Sequence, residues 1–314
     1  MASLAASGGQ GRVVRRWGWS RIQRRENFYG YLFLLPWLIG FWGLFAGPGL
    51  ASLYLSLTNY DVIGTPDFIG ANNYIKMFTN DDLFWPSLGR TFYFAGLGVP
   101  LGVLGSMFLA ILLNQKLRGV TVYRTLFFMP TLVPLVASVV LWKWLLNSDF
   151  GLVNQFLRDL GMDPPGWFSD RAWAVPSLII MRLWGSIGGT QMIIFLAGLQ
   201  GIPEELYDAA SIDGANGWQR VRHVTIPLLT PTIFFNTVLG IIGALQTFAA
   251  AFVATEGGPG YATWFFSLHI WKQAFDYFNM GYGAALAWFF AVIIVLMTIF
   301  QMRLSKRWVF YYGE

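Results

Sequence analysis

Apolar residues in this chain run in long blocks separated by polar stretches. The blocks cover about 28–57, 88–113, 124–146, 174–199, 230–254 and 283–303. Crossing the hydrocarbon of a bilayer takes about 20 mostly apolar residues. Each block therefore predicts a membrane-spanning helix, and the chain reads as an all-α polytopic membrane protein with six such helices. Pro36, Pro100, Pro130, Pro134 and Pro176 fall inside or near the blocks. Prolines are tolerated there when neighbouring helices or water satisfy the freed backbone groups. The first block exceeds one bilayer thickness, which predicts a tilt, a break or an extension beyond the membrane. It is also too long for the apolar part of a cleaved signal peptide. The division that follows is a basic segment over 1–27, a transmembrane domain over 28–307 with a polar loop at 200–229, and a short tail over 308–314.

Charge sets the orientation. Inner segments attract Lys and Arg. If the N-terminus is cytoplasmic, they hold the six arginines from Arg12 to Arg25, together with Lys116, Arg118, Arg124, Arg220, Arg222, Arg303, Lys306 and Arg307. Only Lys76, Arg90, Lys143, Arg158, Arg171, Arg182 and Lys272 remain for the other side. Both termini and the 200–229 loop are thus expected in the cytoplasm. The formal net charge of +5 does not point to nucleic acid, because the basic residues gather at the ends of apolar blocks. The outer segments, 58–87, 147–173 and 255–282, are rich in aromatic residues, Gly and Asp, and aromatic residues at such places commonly anchor at headgroup level. With no cysteine, the chain offers no disulfide, thiolate nucleophile or cysteine metal site. His223 and His269 lie far apart in sequence, and no cofactor or metal is expected.

The polar stretch 203–227, PEELYDAASIDGANGWQRVRHVTIP, has a specific layout. Pro203 suits a helix start, and Glu204 and Glu205 stand where the helix dipole favours negative charge. Ala209 and Ala210 leave a low surface that another protein can approach. Gly214 can end the helix in a left-handed conformation, and Asn216 can cap a second one carrying Trp218, Val221 and Val224. On pattern alone this also fits a helix pair lying on a membrane surface.

The order Asp208-Ala209-Ala210, then Gly214, then Val224-x-Ile226-Pro227 closely resembles the cytoplasmic signature loop of permease subunits in binding-protein-dependent ABC importers. The spacing of that loop, Glu-Ala-Ala, three residues, Gly, nine residues, Ile-x-Leu-Pro, is kept throughout. Asp208 replaces Glu, Val224 replaces Ile and Ile226 replaces Leu. Further stretches resemble the carbohydrate-type members: Phe68-Ile69-Gly70 with Asn73-Tyr74 and Phe78; Arg124 to Pro130 with Pro134; Trp144, Gly151 and Asn154; Gly257-Gly258-Pro259-Gly260; and Gly281 to Ala285. The outer features are similar to the first permease of maltose and glycerol-3-phosphate systems.

The resemblance implies a permease for a sugar, oligosaccharide, polyol or related polar solute in a prokaryotic inner membrane. Its implied partners are a second homologous permease, a cytoplasmic ATPase dimer, an extracytoplasmic binding protein and membrane lipid. It also implies that Glu204, Glu205, Asp208, Ala209, Ala210, Gly214 and Pro227 couple the ATPase to the spans. No Gly-Lys dipeptide occurs, so the chain has no phosphate-binding Walker loop. Hydrolysis of ATP is assigned to the partner, and the chain itself is read as no enzyme. An ion- or proton-coupled secondary transporter is the alternative. It calls for internal repeats and buried carboxylates, and the spans as drawn hold no central Asp or Glu. An intramembrane enzyme would need a catalytic pair that the chain does not display.

Arg182, Gln191, Asn236 and Gln246 sit within apolar blocks. Polar groups there face protein or a watery cavity. Gln191, Asn236 and Gln246 are candidates for bonding sugar hydroxyls, with Trp184, Phe235 or Phe248 packing on a sugar face. The plainer reading is interhelical hydrogen bonding, at about 0.6 kcal/mol each. Arg182 can also reach the outer interface or bind a carbonyl.

Overall fold

The computed structural model describes residues 21–115 and 118–310. Most of the basic 1–27 segment, Lys116 and the last four residues of the tail lie outside the described residues. The chain divides into two compact units, 1–52 and 53–314.

In the first unit α1 (Arg21–Gly40) continues through a wide π-type turn at Phe41–Ala46 into α2 (Gly47–Leu55), whose last residues pass into the second unit. Pro48 has no N–H for the helical ladder, and the Gly47 N–H reaches back to the Trp42 carbonyl. The over-long first block thus widens by one turn rather than stopping. Arg24–Leu55 is long and apolar enough to cross a membrane.

The second unit starts with a two-residue antiparallel pairing, Thr58–Asn59 against Asp67–Phe68. Then follow α3 (Asn72–Thr79), α4 (Phe84–Leu113), α5 (Val120–Phe128), a 3-10 turn at Met129–Leu132, α6 (Leu135–Leu145) and α7 (Leu152–Asp159). Next come α8 (Ala174–Ile187), α9 (Thr190–Gln200), α10 (Glu204–Ile212), α11 (Gly217–Arg220), α12 (Ile226–Leu228) and α13 (Thr230–Leu245). The chain closes with α14 (Ala249–Thr255), α15 (Phe266–Trp271) and α16 (Met280–Ser305).

Helix α4 is the central post and packs against α8, α9 and α13. Its buried positions recur every three or four residues, as at Leu88, Thr91, Ala95, Val99, Val103 and Ser106. Gly98, Gly102 and Ser106 form a seam of small residues that lets a neighbouring backbone approach, the usual device for packing helices in lipid. A Cβ on Gly98 would lie 3.6 Å from the Arg182 side chain, and one on Gly102 would lie 3.2 Å from Ser186 Oγ. Many large apolar side chains stay exposed, among them Phe33, Leu44, Phe108, Leu296 and Phe300. On a soluble chain such surfaces would aggregate; here Phe33, Leu44, Phe108, Leu296 and Phe300 all lie on helices long and apolar enough to cross a membrane.

Three predicted spans are corrected. The third, 124–146, bends by 96° between Val120–Leu132 and Leu135–Leu145. Pro130 removes a backbone donor, and Pro134 forces Val133 into extended backbone, with ψ of 126°. The fourth, 174–199, bends by 41° at Gly188-Gly189. The fifth, drawn to 254, stops at Leu245, and α14 is a separate helix. The outer segments are also more ordered than aromatic anchors require. Trp167 and Trp264 are buried, and each indole N–H donates inward, to Asn154 Oδ1 at 2.5 Å and to His269 Nδ1 at 3.1 Å.

Candidate functional site

Three places in the second unit bring polar groups together. The first is the 203–227 segment. Pro203 sits just ahead of α10 with extended ψ of 132°, one residue earlier than a first-turn proline, and Glu204 and Glu205 open the helix. The helix ends through two backbone bonds, Ala215 N–H to Ala210 O at 2.9 Å and Gly214 N–H to Ser211 O at 3.1 Å. That is the Schellman arrangement, and it requires a left-handed residue at Gly214, where φ is +78°. Asn216 and Gln219 then form a reciprocal capping box at the start of α11. Arg220 Nη1 donates to Ser211 Oγ at 3.2 Å, and the Tyr207 and Thr225 hydroxyls lie 3.0 Å apart. These bonds lock the short helices into one body.

Its faces differ in character. Leu206 and Tyr207 pack against the core, and Ala210 is half-buried. Glu204, Glu205, Asp208 and Ala209 are exposed, as is Ile212 at 87% and Trp218 at 69%. An exposed apolar pair beside three carboxylates, on a frame fixed by caps, has the make-up of a protein-docking surface. Pro227 lies within α12, where the chain turns toward α13. That junction bends by 63°.

The second place is a half-open cavity of about 820 Å³ at the broken helices. Pro130 and Thr131 border it from the α5–α6 break, Gly185 and Ser186 from the end of α8, and Gln246, Thr247 and Phe248 from the α13–α14 break. Three interruptions of apolar helix therefore meet at one void. Non-helical backbone at membrane depth is tolerated where it is buried in protein or lines a watery cavity. Thr131 Oγ1 donates to the Gly185 carbonyl at 3.1 Å, linking two of the breaks. A smaller space of about 280 Å³ shares Thr131, Arg182, Gly185 and Ser186 and adds Gln191 and Asn236.

The structure therefore groups most of the polar residues singled out in the sequence. Gln246 lines the larger space, Gln191 and Asn236 line the smaller, and Arg182 lines both. Arg182 Nη2 donates to the Gly240 carbonyl at 3.1 Å, and its guanidinium lies 5.7 Å from the Phe94 ring centre. Gln191 Oε1 accepts from Ser106 Oγ at 3.3 Å, and Asn236 Nδ2 donates to Thr232 O at 3.1 Å. Trp184 lines neither space. It packs edge-on against Trp142 at 5.9 Å, so its indole is held by a neighbouring helix rather than turned to the void. Phe248 borders the larger space and stacks on Phe252 at 5.4 Å. Thr131, Ser138, Ser186 and Thr247 also border it. Sequence reasoning missed them because single hydroxyls within apolar blocks are ordinary; the proline and glycine flanks of Thr131 and Ser186 were the available signal.

The third place lies at the opposite end of the unit from 203–227. Asp81 Oδ2 accepts from His269 Nε2 at 2.7 Å and from the Tyr282 hydroxyl at 2.5 Å, while its Oδ1 accepts from the Leu83 N–H at 3.0 Å. An indole N–H only donates, so the bond from Trp264 leaves His269 Nδ1 as acceptor and the proton on Nε2. Burial pushes the Asp81 carboxyl up, but the hydrogen bonds from His269 and Tyr282 outweigh it and hold the group below its ordinary value. Nearby, Asn73 Nδ2 donates to the Ser56 and Thr58 carbonyls, and Phe266 N–H donates to Thr91 Oγ1. These bonds clamp the ends of four helices together.

Comparison with known proteins gives the family and the fold. Residues 87–309 match the family described as binding-protein-dependent transport system inner membrane component. A probable ABC transporter permease protein of Bacillus subtilis, YesP, is 41% identical over 296 residues, covering 93% of this chain and 95% of that protein. The trehalose/maltose transport system permease protein MalF of Thermococcus litoralis is 33% identical, covering 91% and 97%. Among solved structures, a chain of a bacterial alginate ABC transporter, in complex with its alginate-bound periplasmic protein, superposes with a TM-score of 0.81 at 23% identity. It covers 91% of this chain and 97% of that one, and it speaks for the fold. The chain belongs to the family of inner membrane components of binding-protein-dependent transport systems, and is a permease subunit of an ABC importer.

Proposed function

We propose that this permease carries a sugar, oligosaccharide or polyol through the cavity at its broken helices, driven by an ATPase that docks on 203–227. Both termini and this loop are cytoplasmic in the reading, in line with the clustering of Lys and Arg. The observation that carries it is the capped, rigid 204–220 body with Ile212 and Trp218 turned outward. A rigid exposed surface can transmit the closure of a partner to the spans. The chain has no phosphate-binding loop of its own. Glu204, Glu205, Asp208, Ala209 and the left-handed turn at Gly214 form or shape that surface, and Pro227 marks where the motion passes into α13. The ends clamped around Asp81 receive the solute-loaded binding protein. Gln191, Asn236 and Gln246, with the Thr131 hydroxyl, are the groups that would bond a polar solute. MalF is named for trehalose and maltose, and two further relatives, 35% and 32% identical, are named as permease proteins of lactose and sn-glycerol-3-phosphate transport systems, a chemistry of hydroxyl-rich small solutes that such a lining fits.

The test is reconstitution into proteoliposomes with candidate second permease, ATPase and binding protein. The expected result is solute uptake that requires ATP and every partner. Uptake by the chain alone under an ion gradient would overturn the reading in favour of a secondary transporter.

A further inference from the structure

We infer that the pathway is built for a carbohydrate bearing an anionic group, with Arg182 as the residue that engages the anion. The inference rests on the permease reading above and adds a substrate class to it.

Arg182 lines both spaces at the broken helices, and no Asp or Glu lines either of them. Among the described residues no carboxylate forms an ion pair with it. Its polar contacts are partial: Nη2 reaches the Gly240 carbonyl, the guanidinium rests over Phe94, and Nε is buried with no hydrogen-bond partner. Ser186 Oγ, which borders the same two spaces, is likewise buried without a partner. A guanidinium offers five N–H donors in a planar fork and keeps its charge. A cation inside a membrane span is costly, and such residues usually pair with an acid or mark a solute path. Here, among the described residues, no acid pairs with it, and its side chain borders both spaces.

The surrounding backbone points the same way. Leu135 opens α6 and borders the larger space, and Thr190 opens α9 and borders the smaller. Both helices are eleven residues long and present their positive dipole ends at the void. Interrupted helices in other transporters aim such ends at anionic parts of a solute. A neutral sugar would be served by Gln246 and Thr131 alone. A carboxylate or phosphate on that sugar would also pair with the Arg182 guanidinium where it borders the spaces, a charge-assisted contact.

The experiment uses the complete reconstituted importer with four probes: an oligogalacturonide, glycerol 3-phosphate, lactose and maltose. The expected result is ATP-dependent uptake of an anionic probe that drops by about tenfold or more in Arg182→Gln. Arg182→Lys should retain more of it than Arg182→Gln. Uptake of neutral probes only, or anionic uptake unchanged in Arg182→Gln, would overturn the inference while ATP-dependent transport kept the permease reading intact. A second arm needs no knowledge of the solute. The chain has no cysteine, so with partners likewise freed of cysteine, Thr247→Cys, at the border of the larger space, reports on the cavity alone. Its reaction with a negatively charged thiosulfonate should be faster than with a positively charged one, and adding Arg182→Gln should remove that preference. Equal rates before and after removal of Arg182 would overturn the inference even if none of the four probes were moved.

Discussion

At Gly214 φ is +78°, and nothing lies within 4 Å of the place a Cβ would take. A side chain there meets no neighbour, so its whole cost is backbone conformation, roughly 1–2 kcal/mol. Gly214→Val should therefore leave membrane insertion intact but loosen α10 from α11, so that ATP hydrolysis by the assembled importer proceeds with little uptake. Gly214→Asn should be milder, because asparagine visits the left-handed region. The ratio of uptake to hydrolysis measures this, and a normal ratio for the Val variant would remove Gly214 from coupling. Asp81 makes a different prediction. Its carboxyl is held below the ordinary value of about 3.9, so the stabilisation it gives is complete above that value and fades as pH falls through the lower, folded one. Asp81→Asn should cost about 1–3 kcal/mol near neutral pH by replacing a charged acceptor. The gap in melting temperature between parent and variant should stay constant from about pH 8 to 5 and close only below about pH 4. A gap that closes already near pH 6 would assign the titration to another group. The two residues also differ in legibility. The turn at Gly214 is local chemistry readable from neighbouring residues. The partners of Asp81 stand 188 and 201 positions away, and no local pattern announces them.

Helices were legible in the sequence through apolar length; the places where they break were legible only in part. Pro130 and Pro134 mark the interruption between α5 and α6 by their missing N–H and their effect on the preceding residue. The α8–α9 break rests on something a single sequence does not display, the approach of another element. A Cβ on Gly188 would lie 2.0 Å from the Phe127 carbonyl oxygen, and one on Gly189 would lie 2.6 Å from Thr131 Oγ1. The bend in one span is thus keyed to the bend in the other, and the cavity lies where they lock. Gly188→Ala should force the two apart at a cost of about 1–3 kcal/mol. It should lower the melting temperature of the purified complex and reduce uptake together. Gly185→Ala is the control, since nothing lies within 4 Å of its added Cβ. Equal melting temperatures for the two variants would show that the α5 and α8 ends are not in close contact. The α13–α14 break has neither proline nor glycine at Gln246 to Phe248. It is held by aromatic packing of Phe248 and Phe252 with Trp271, at 5.6 and 4.9 Å, which no reading of α13 by itself reveals.

At the scale of the whole molecule, a chain with so much exposed apolar surface and a cavity bordered by exposed residues is built to be one part of an assembly. Recovery of the second permease and the ATPase with this chain is the first expectation, and Asp208 tests how the ATPase is held. Its carboxylate stands on the exposed face of α10, between Glu205 and Ile212. A pair that stayed in water would contribute only about 0–1 kcal/mol. One desolvated against a basic group of the partner would cost about 2–5 kcal/mol when truncated. Beside Ile212 and Trp218, whose apolar surface would exclude water on docking, the second case is the expected one. Asp208→Ala should then reduce recovery of the ATPase at matched membrane expression, and uptake with it. Asp208→Glu, which keeps the charge, should recover the parent amount. The helix itself is not at risk, since alanine is the best helix former. Equal recovery with alanine would make Asp208 a solvated charge, leaving the docking to Ile212, Trp218 and the turn at Gly214; Ile212→Asp should then be the variant that releases the ATPase.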